Sequence, residues 1–222
     1  RLHAQEEEDG EALLQMVTEL VGDEDRDMRA LGLEQVREAA PGEEATKRFV
    51  GLLPDLGTEA KAELVEALGE RADAAARPAV LELIGSDQQL LRAAALRALA
   101  GLGNVEDVPL LAEKAVADSE EEQLAARRSL VRLRAEGTDE KIVAALADTS
   151  AEVRAELLKA LAARNAKQAL PAVLECAAEP DPAVRLAALD ALRYLADESQ
   201  VAELVAIVQA SQDESQRRKA AL

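Results

Sequence analysis

One stretch constrains the fold of this chain before composition does: Asp181-Pro182-Ala183-Val184-Arg185-Leu186-Ala187-Ala188-Leu189-Asp190-Ala191-Leu192. It recurs in degraded form about every 31 residues, and a fixed period of that length marks a stacked repeat array. Anchored on Arg185, the equivalent positions are Arg154, Gln123, Arg92, Lys61 and Arg29 on one side and Arg217 on the other. All but Gln123 are basic. Each repeat buries a face against its neighbours, so length sets the extent of the array rather than a number of globular domains.

Each period holds two helical patterns joined by a turn. In the sixth, helix A is expected over Gln168–Ala178, with Leu170, Val173, Leu174 and Ala177 at helical spacing. Asp181 then supplies an N-cap and Pro182 the first helical position of helix B. Val184, Ala188, Ala191, Leu192 and Leu195 form its apolar stripe. The same plan divides the chain into repeats over approximately 11–41, 42–72, 73–104, 105–136, 137–166, 167–198 and 199–222. Thr58 is expected to cap helix B of the second repeat. Pro78, Pro109 and Pro171 recur near the start of helix A. Residues 1–10 read as an acidic, disordered lead-in. The seventh repeat stops inside helix B and reads as truncated. The expectation is an all-α, right-handed α-solenoid in a protein that continues further.

Nearly half the residues are apolar, but these are mostly Ala and Leu, with Phe49 and Tyr194 the only aromatics. Small residues suit close helix contacts. The net charge of −18 repels phosphate backbones, so nucleic-acid binding is not expected. No apolar run approaches the ~18 residues that span a bilayer, and membrane insertion is not expected either. The single cysteine, Cys176, excludes an intrachain disulfide and a cysteine-based zinc site. It falls on helix A and reads as a passive, part-buried thiol. His3 is the sole histidine and lies in the lead-in, so no Ser/His or Cys/His dyad can form within the repeats. No catalytic, cofactor-binding or metal-binding residue is expected, and the chain reads as non-enzymatic. Leu2-His3-Ala4 before an acidic run is similar to the tail of a secretory signal peptide. An extracytoplasmic and a cytoplasmic location both stay open.

The stretch 181–192, with Ala151-Glu152-Val153-Arg154 and Leu91-Arg92 as partial copies, resembles the second half of a HEAT repeat. The short period is similar to the compact HEAT-like repeats first recognised in phycobilisome lyases and seen in many bacterial proteins. The resemblance implies a superhelix of armadillo-like architecture whose B helices line the concave face. The iron-binding His-Glu pairs of the HEAT-repeat enzyme deoxyhypusine hydroxylase have no counterpart here.

Two sets of residues stand out. The recurring position (Arg29, Lys61, Arg92, Arg154, Arg185, Arg217) reads as a structural ladder. In HEAT-like repeats such an Arg bonds the Asp of the preceding turn or a neighbouring repeat, which nominates Asp25, Asp87, Asp181 and Asp213. Counting from the ladder residue at 100° per residue, the apolar stripe falls at +3, +4, +7 and +10, and the opposite face at +5 and +9. On that face Arg97, Arg128, Arg132 and Lys159 form a basic patch edged by Tyr194. Arg and aromatic residues are frequent binding anchors. The patch would dock an acidic segment of an unidentified protein partner, or of this protein's own remainder, the chain itself being monomeric. The function expected is that of an interaction scaffold. The alternatives are a HEAT-like module of a chromophore or cofactor lyase, and a plain spacer.

Overall fold

The computed structural model describes residues 2–38 and 42–200, together with 202, 205 and 206. Among the described residues there are twelve α-helices and no strand. They are α1 (Leu2–Val21), α2 (Arg26–Glu38), α3 (Glu43–Gly51), α4 (Thr58–Arg71), α5 (Arg77–Leu83) and α6 (Gln89–Leu102). The series continues with α7 (Val108–Lys114), α8 (Glu120–Arg132), α9 (Thr138–Ala145), α10 (Ala151–Ala163), α11 (Leu170–Ala177) and α12 (Pro182–Leu195). Odd-numbered helices are the A helices of six repeats and even-numbered ones the B helices. This is an all-α solenoid plan. Most of the seventh repeat, including Arg217 and Asp213, lies outside the described residues. No helix among the described residues is long and apolar enough to cross a membrane.

The chain forms two compact units, Arg1–Gly103 and Asn104–Leu222. In the first, α4 packs against both α2 and α6; in the second, α10 packs against both α8 and α12. B helices therefore stack on B helices. Phe49, Leu64, Leu68, Leu96 and Leu99 fill the first interior, and Leu111, Leu130, Ile142, Leu157 and Leu161 the second. Shifted by three repeats, the chain aligns with itself. Ala62-Glu63-Leu64 falls on Ala155-Glu156-Leu157, Arg71 on Arg164, Pro78-Ala79-Val80-Leu81-Glu82 on Pro171-Ala172-Val173-Leu174-Glu175, and Arg92 on Arg185. The two units share one three-repeat plan.

The helix starts follow local chemistry. Pro78, Pro109 and Pro171 each sit in the first turn of helix A, directly after a 3-10 turn. A missing N–H costs nothing there. Asp25, Ser119, Ser150 and Asp181 cap B helices by accepting backbone amides one turn ahead. Asn104 and Asp107 close a reciprocal capping box before α7. Two expectations change. The cap of α4 is Gly57, with no side-chain bond, and Thr58 is already helical. Helix α1 starts at Leu2, so the acidic stretch read as a disordered lead-in is the beginning of a long first helix.

The α4–α6 contact is a backbone contact. A Cβ placed on Gly101 would lie 2.1 Å from the Gly69 carbonyl oxygen, and one on Gly69 would lie 2.5 Å from Ala98 Cα. The equivalent residues of the second unit are Ala162 and Tyr194, so this glycine-on-glycine approach belongs to the first unit alone. Gly101→Ala should therefore destabilise the chain by about 1–3 kcal/mol in urea unfolding, as overpacking does. Gly85→Ala, whose Cβ would meet nothing closer than 3.6 Å, should leave the midpoint nearly unchanged.

Candidate functional site

The ladder residues bond carbonyls, not the nominated carboxylates. Arg29 Nη1 donates to the Asp23 carbonyl (3.0 Å), Arg92 Nη1 to Ser86 (2.8 Å) and Arg185 Nη1 to Glu179 (2.6 Å) and Pro180 (2.9 Å). Arg154 Nη2 reaches the Thr149 carbonyl at 3.3 Å. Gln123, the non-basic rung, does the same through its amide, 2.6 Å from the Ala117 carbonyl. Each side chain reaches back to a carbonyl of the A–B turn itself, two to four residues past the end of helix A, and so pins the turn to the first turn of helix B. Asp25 and Asp181 are occupied instead at the N-terminus of helix B. Asp87 receives no ladder bond among those described. Lys61 makes no ladder bond of this kind among the described residues. The neighbouring-repeat contact does occur: Arg29 Nε meets Glu63 at 2.7 Å and Arg154 Nη1 meets Glu179 at 2.5 Å.

A second set of arginines breaks the expected apolar stripe at +10. Arg71 bonds the Val36 carbonyl (2.8 Å), the Gly42 carbonyl (3.3 Å) and Thr46 Oγ1 (2.7 Å), and lies 5.5 Å above the Phe49 ring. Thr46 in turn donates to Asp73 at 2.8 Å. The Ala75 amide and this hydroxyl hold the Asp73 carboxyl below its usual pKa. Arg164, three repeats later, bonds the Leu130, Val131 and Leu133 carbonyls and pairs with Asp139. These arginines close the end of the previous repeat's B helix. An Arg recurring in an otherwise apolar column was the signal for them.

The surface face left over is the one at +1, +5 and +9 of the B helices. Arg97 does not contribute a free charge to it: its guanidinium is held by Glu66 of α4 at 2.6–2.8 Å, inside the first unit. Glu70 is similarly engaged by Arg37 at 2.5 Å. The other four residues of the expected patch belong to the second unit. Arg128 and Arg132 are exposed and without an ion-pair partner among the described residues. They follow Leu124, 45% exposed, along one edge of α8. On α10, Lys159 is exposed but tied at 2.7 Å to Glu156, which is only 8% exposed. Arg127 Nε also approaches Glu156, at 2.8 Å, in an ion pair. Tyr194 on α12 is 67% exposed. Cys176 is buried on α11, and burial, with the Glu179 carboxylate nearby, pushes its thiol up to about 11.

Stacked two-helix repeats with ladder bonds at every A–B turn but that of Lys61 define an α-helical repeat protein. The family described as HEAT repeats matches residues 48–131 and 140–222, more than half of the chain, and the chain belongs to that family. Similar solved structures include human deoxyhypusine hydroxylase in complex with glycerol, at 18% identity over 96% of this chain and 94% of that one, TM-score 0.40. The complex of CpcE and CpcF of phycocyanin lyase from Nostoc is similar at 23% identity over 82% and 75% of the two chains, TM-score 0.44. An engineered protein is similar at 20% identity over 94% and 93%, TM-score 0.42. No match was found among curated proteins.

Because Gln123 performs the ladder role, Arg185→Gln should keep most of the stability that Arg185→Ala loses, roughly 1–2 kcal/mol by denaturant titration. The raised thiol pKa makes a second expectation. At pH 8 the native Cys176 should alkylate about 100-fold more slowly than the unfolded chain, since each pKa unit removes roughly tenfold of the thiolate. The native rate should climb as pH rises towards 11, where the thiol deprotonates.

Proposed function

We propose that this chain is a non-enzymatic scaffold that binds a protein partner through the exposed face of α8, α10 and α12. HEAT repeats generally mediate contacts between proteins. The observation that carries the reading is the contrast between used and unused charge. Arg29, Arg71, Arg154, Arg164 and Arg185 are spent on carbonyls and carboxylates that hold repeats together. Arg128 and Arg132 serve no such contact, yet sit in register on a B helix beside an exposed Leu124. Tyr194 adds an exposed aromatic, a residue type that anchors interfaces. The lone histidine, His3, stands at the start of α1 in the first unit, so the proposed face has no histidine to act as the usual base of nucleophile–base chemistry.

The test is positional. A photo-crosslinking residue at Tyr194 should trap a discrete protein in an extract of the source cells. The same residue at Glu113, exposed on α7, should not. Equal trapping at both positions, or at neither, would overturn the reading.

A further inference from the structure

The alignment of the chain with itself separates what the stack requires from what it does not. Between the two units the ladder and clamp arginines stay (Arg71 with Arg164, Arg92 with Arg185), while the outward face changes. Glu66 becomes Lys159, Glu70 becomes Ala163 and Gly101 becomes Tyr194. In the first unit these positions are consumed by an ion pair, a second ion pair and a backbone contact. In the second they become a lysine paired with Glu156 on its own helix, an alanine and a tyrosine, all three exposed.

Resting on the binding role proposed above, we infer that the α8 stripe docks a short acidic segment of a protein partner, with an apolar residue set one helical turn from two carboxylate positions. The stripe runs Glu120, Leu124, Arg128, Arg132, all four exposed. Four residues advance a helix by about 6 Å, so the two guanidinium groups are offset by about one turn and the leucine by one more. Each free guanidinium presents a fork suited to a carboxylate. Lys159 lies on the next helix of the stack, about 8–10 Å away by ordinary helix spacing, but its charge is paired with Glu156, so the two arginines of α8 carry the strip.

The surroundings restrict the occupant's length. The chain carries −18, and Glu120 closes one end of the stripe. A long polyanion would run off the basic strip into like charge, which is costly for a nucleic-acid strand. A short motif with its charges confined to the strip avoids that. Electrostatics then contributes specificity and encounter rate, with the leucine contact supplying a hydrophobic anchor.

A fluorescein-labelled peptide of about 12 residues, with one Leu a turn before two Glu pairs, tests this by anisotropy against the full chain. Saturable binding is expected, weakened roughly tenfold or more by Arg128→Glu with Arg132→Glu, and by raising salt from about 0.05 to 0.5 M. Arg26→Glu with Lys47→Glu, the same charge change at exposed sites on α2 and α3, should shift affinity less than about twofold. Circular dichroism confirms that each variant is folded. A Gln-for-Glu peptide should not bind, and a thymidine strand of equal length should bind about tenfold more weakly. Equal affinity for the strand, or no effect of the double reversal, would overturn the inference. No peptide binding beside successful trapping at Tyr194 would overturn this inference while leaving the scaffold reading intact.

Discussion

The repeats depend on finding donors for the carbonyls at helix ends and in the turns between helices. Helices α5 and α7 are seven residues long and α9 and α11 eight. The last four carbonyls of any helix lack an internal partner, so in helices this short they are about half of the total. Isolated, such helices would not persist. Ladder residues hold the turns that follow the A helices, by reaching back from the first turn of helix B to turn carbonyls. Arg71 and Arg164 answer for two of the B helices by reaching back from the next repeat. The first bond ties a repeat to itself, and the second ties it to its neighbour.

This division of labour explains where charge is free. A guanidinium bonded to a carbonyl in a tight turn cannot also meet a partner, and its replacement would cost stability. Charges at +5 and +9 lie off the apolar stripe and are not needed to close a turn. In the first unit they have been turned inward, as in the Glu66–Arg97 pair. In the second unit Arg128 and Arg132 have not. A repeat protein gains a binding surface in this way without disturbing its packing, because stability is a sum over repeats and their shared faces.

Much of this was legible in sequence. The period located every described A–B turn, and the prolines marked the starts of α5, α7 and α11. Arg29, Arg92, Arg154 and Arg185 bond turn carbonyls rather than the aspartates nominated for them, while the neighbouring-repeat contact occurs at Arg29 and Arg154. A carboxylate in the turn is conspicuous in a sequence, whereas a carbonyl is present at every residue and carries no letter. Arg97 counted towards the basic patch because linear reading placed it on the outer face. That Glu66 reaches across to it depends on how closely α4 and α6 approach, which Gly69 and Gly101 set. Arg71 and Arg164 were hidden by their column, read as apolar from its leucines.

What the sequence determined by itself was the repeat, its length, its two-helix content and which residue types recur. Periodicity and capping are local, and local chemistry is written in order along the chain. Only the tertiary structure decided which charges are spent. Whether an arginine is a clamp, a pair or a free hand depends on groups about 30 residues away in sequence, as Arg71 with Val36 and Arg97 with Glu66 show. Those distances exist only once the helices have stacked.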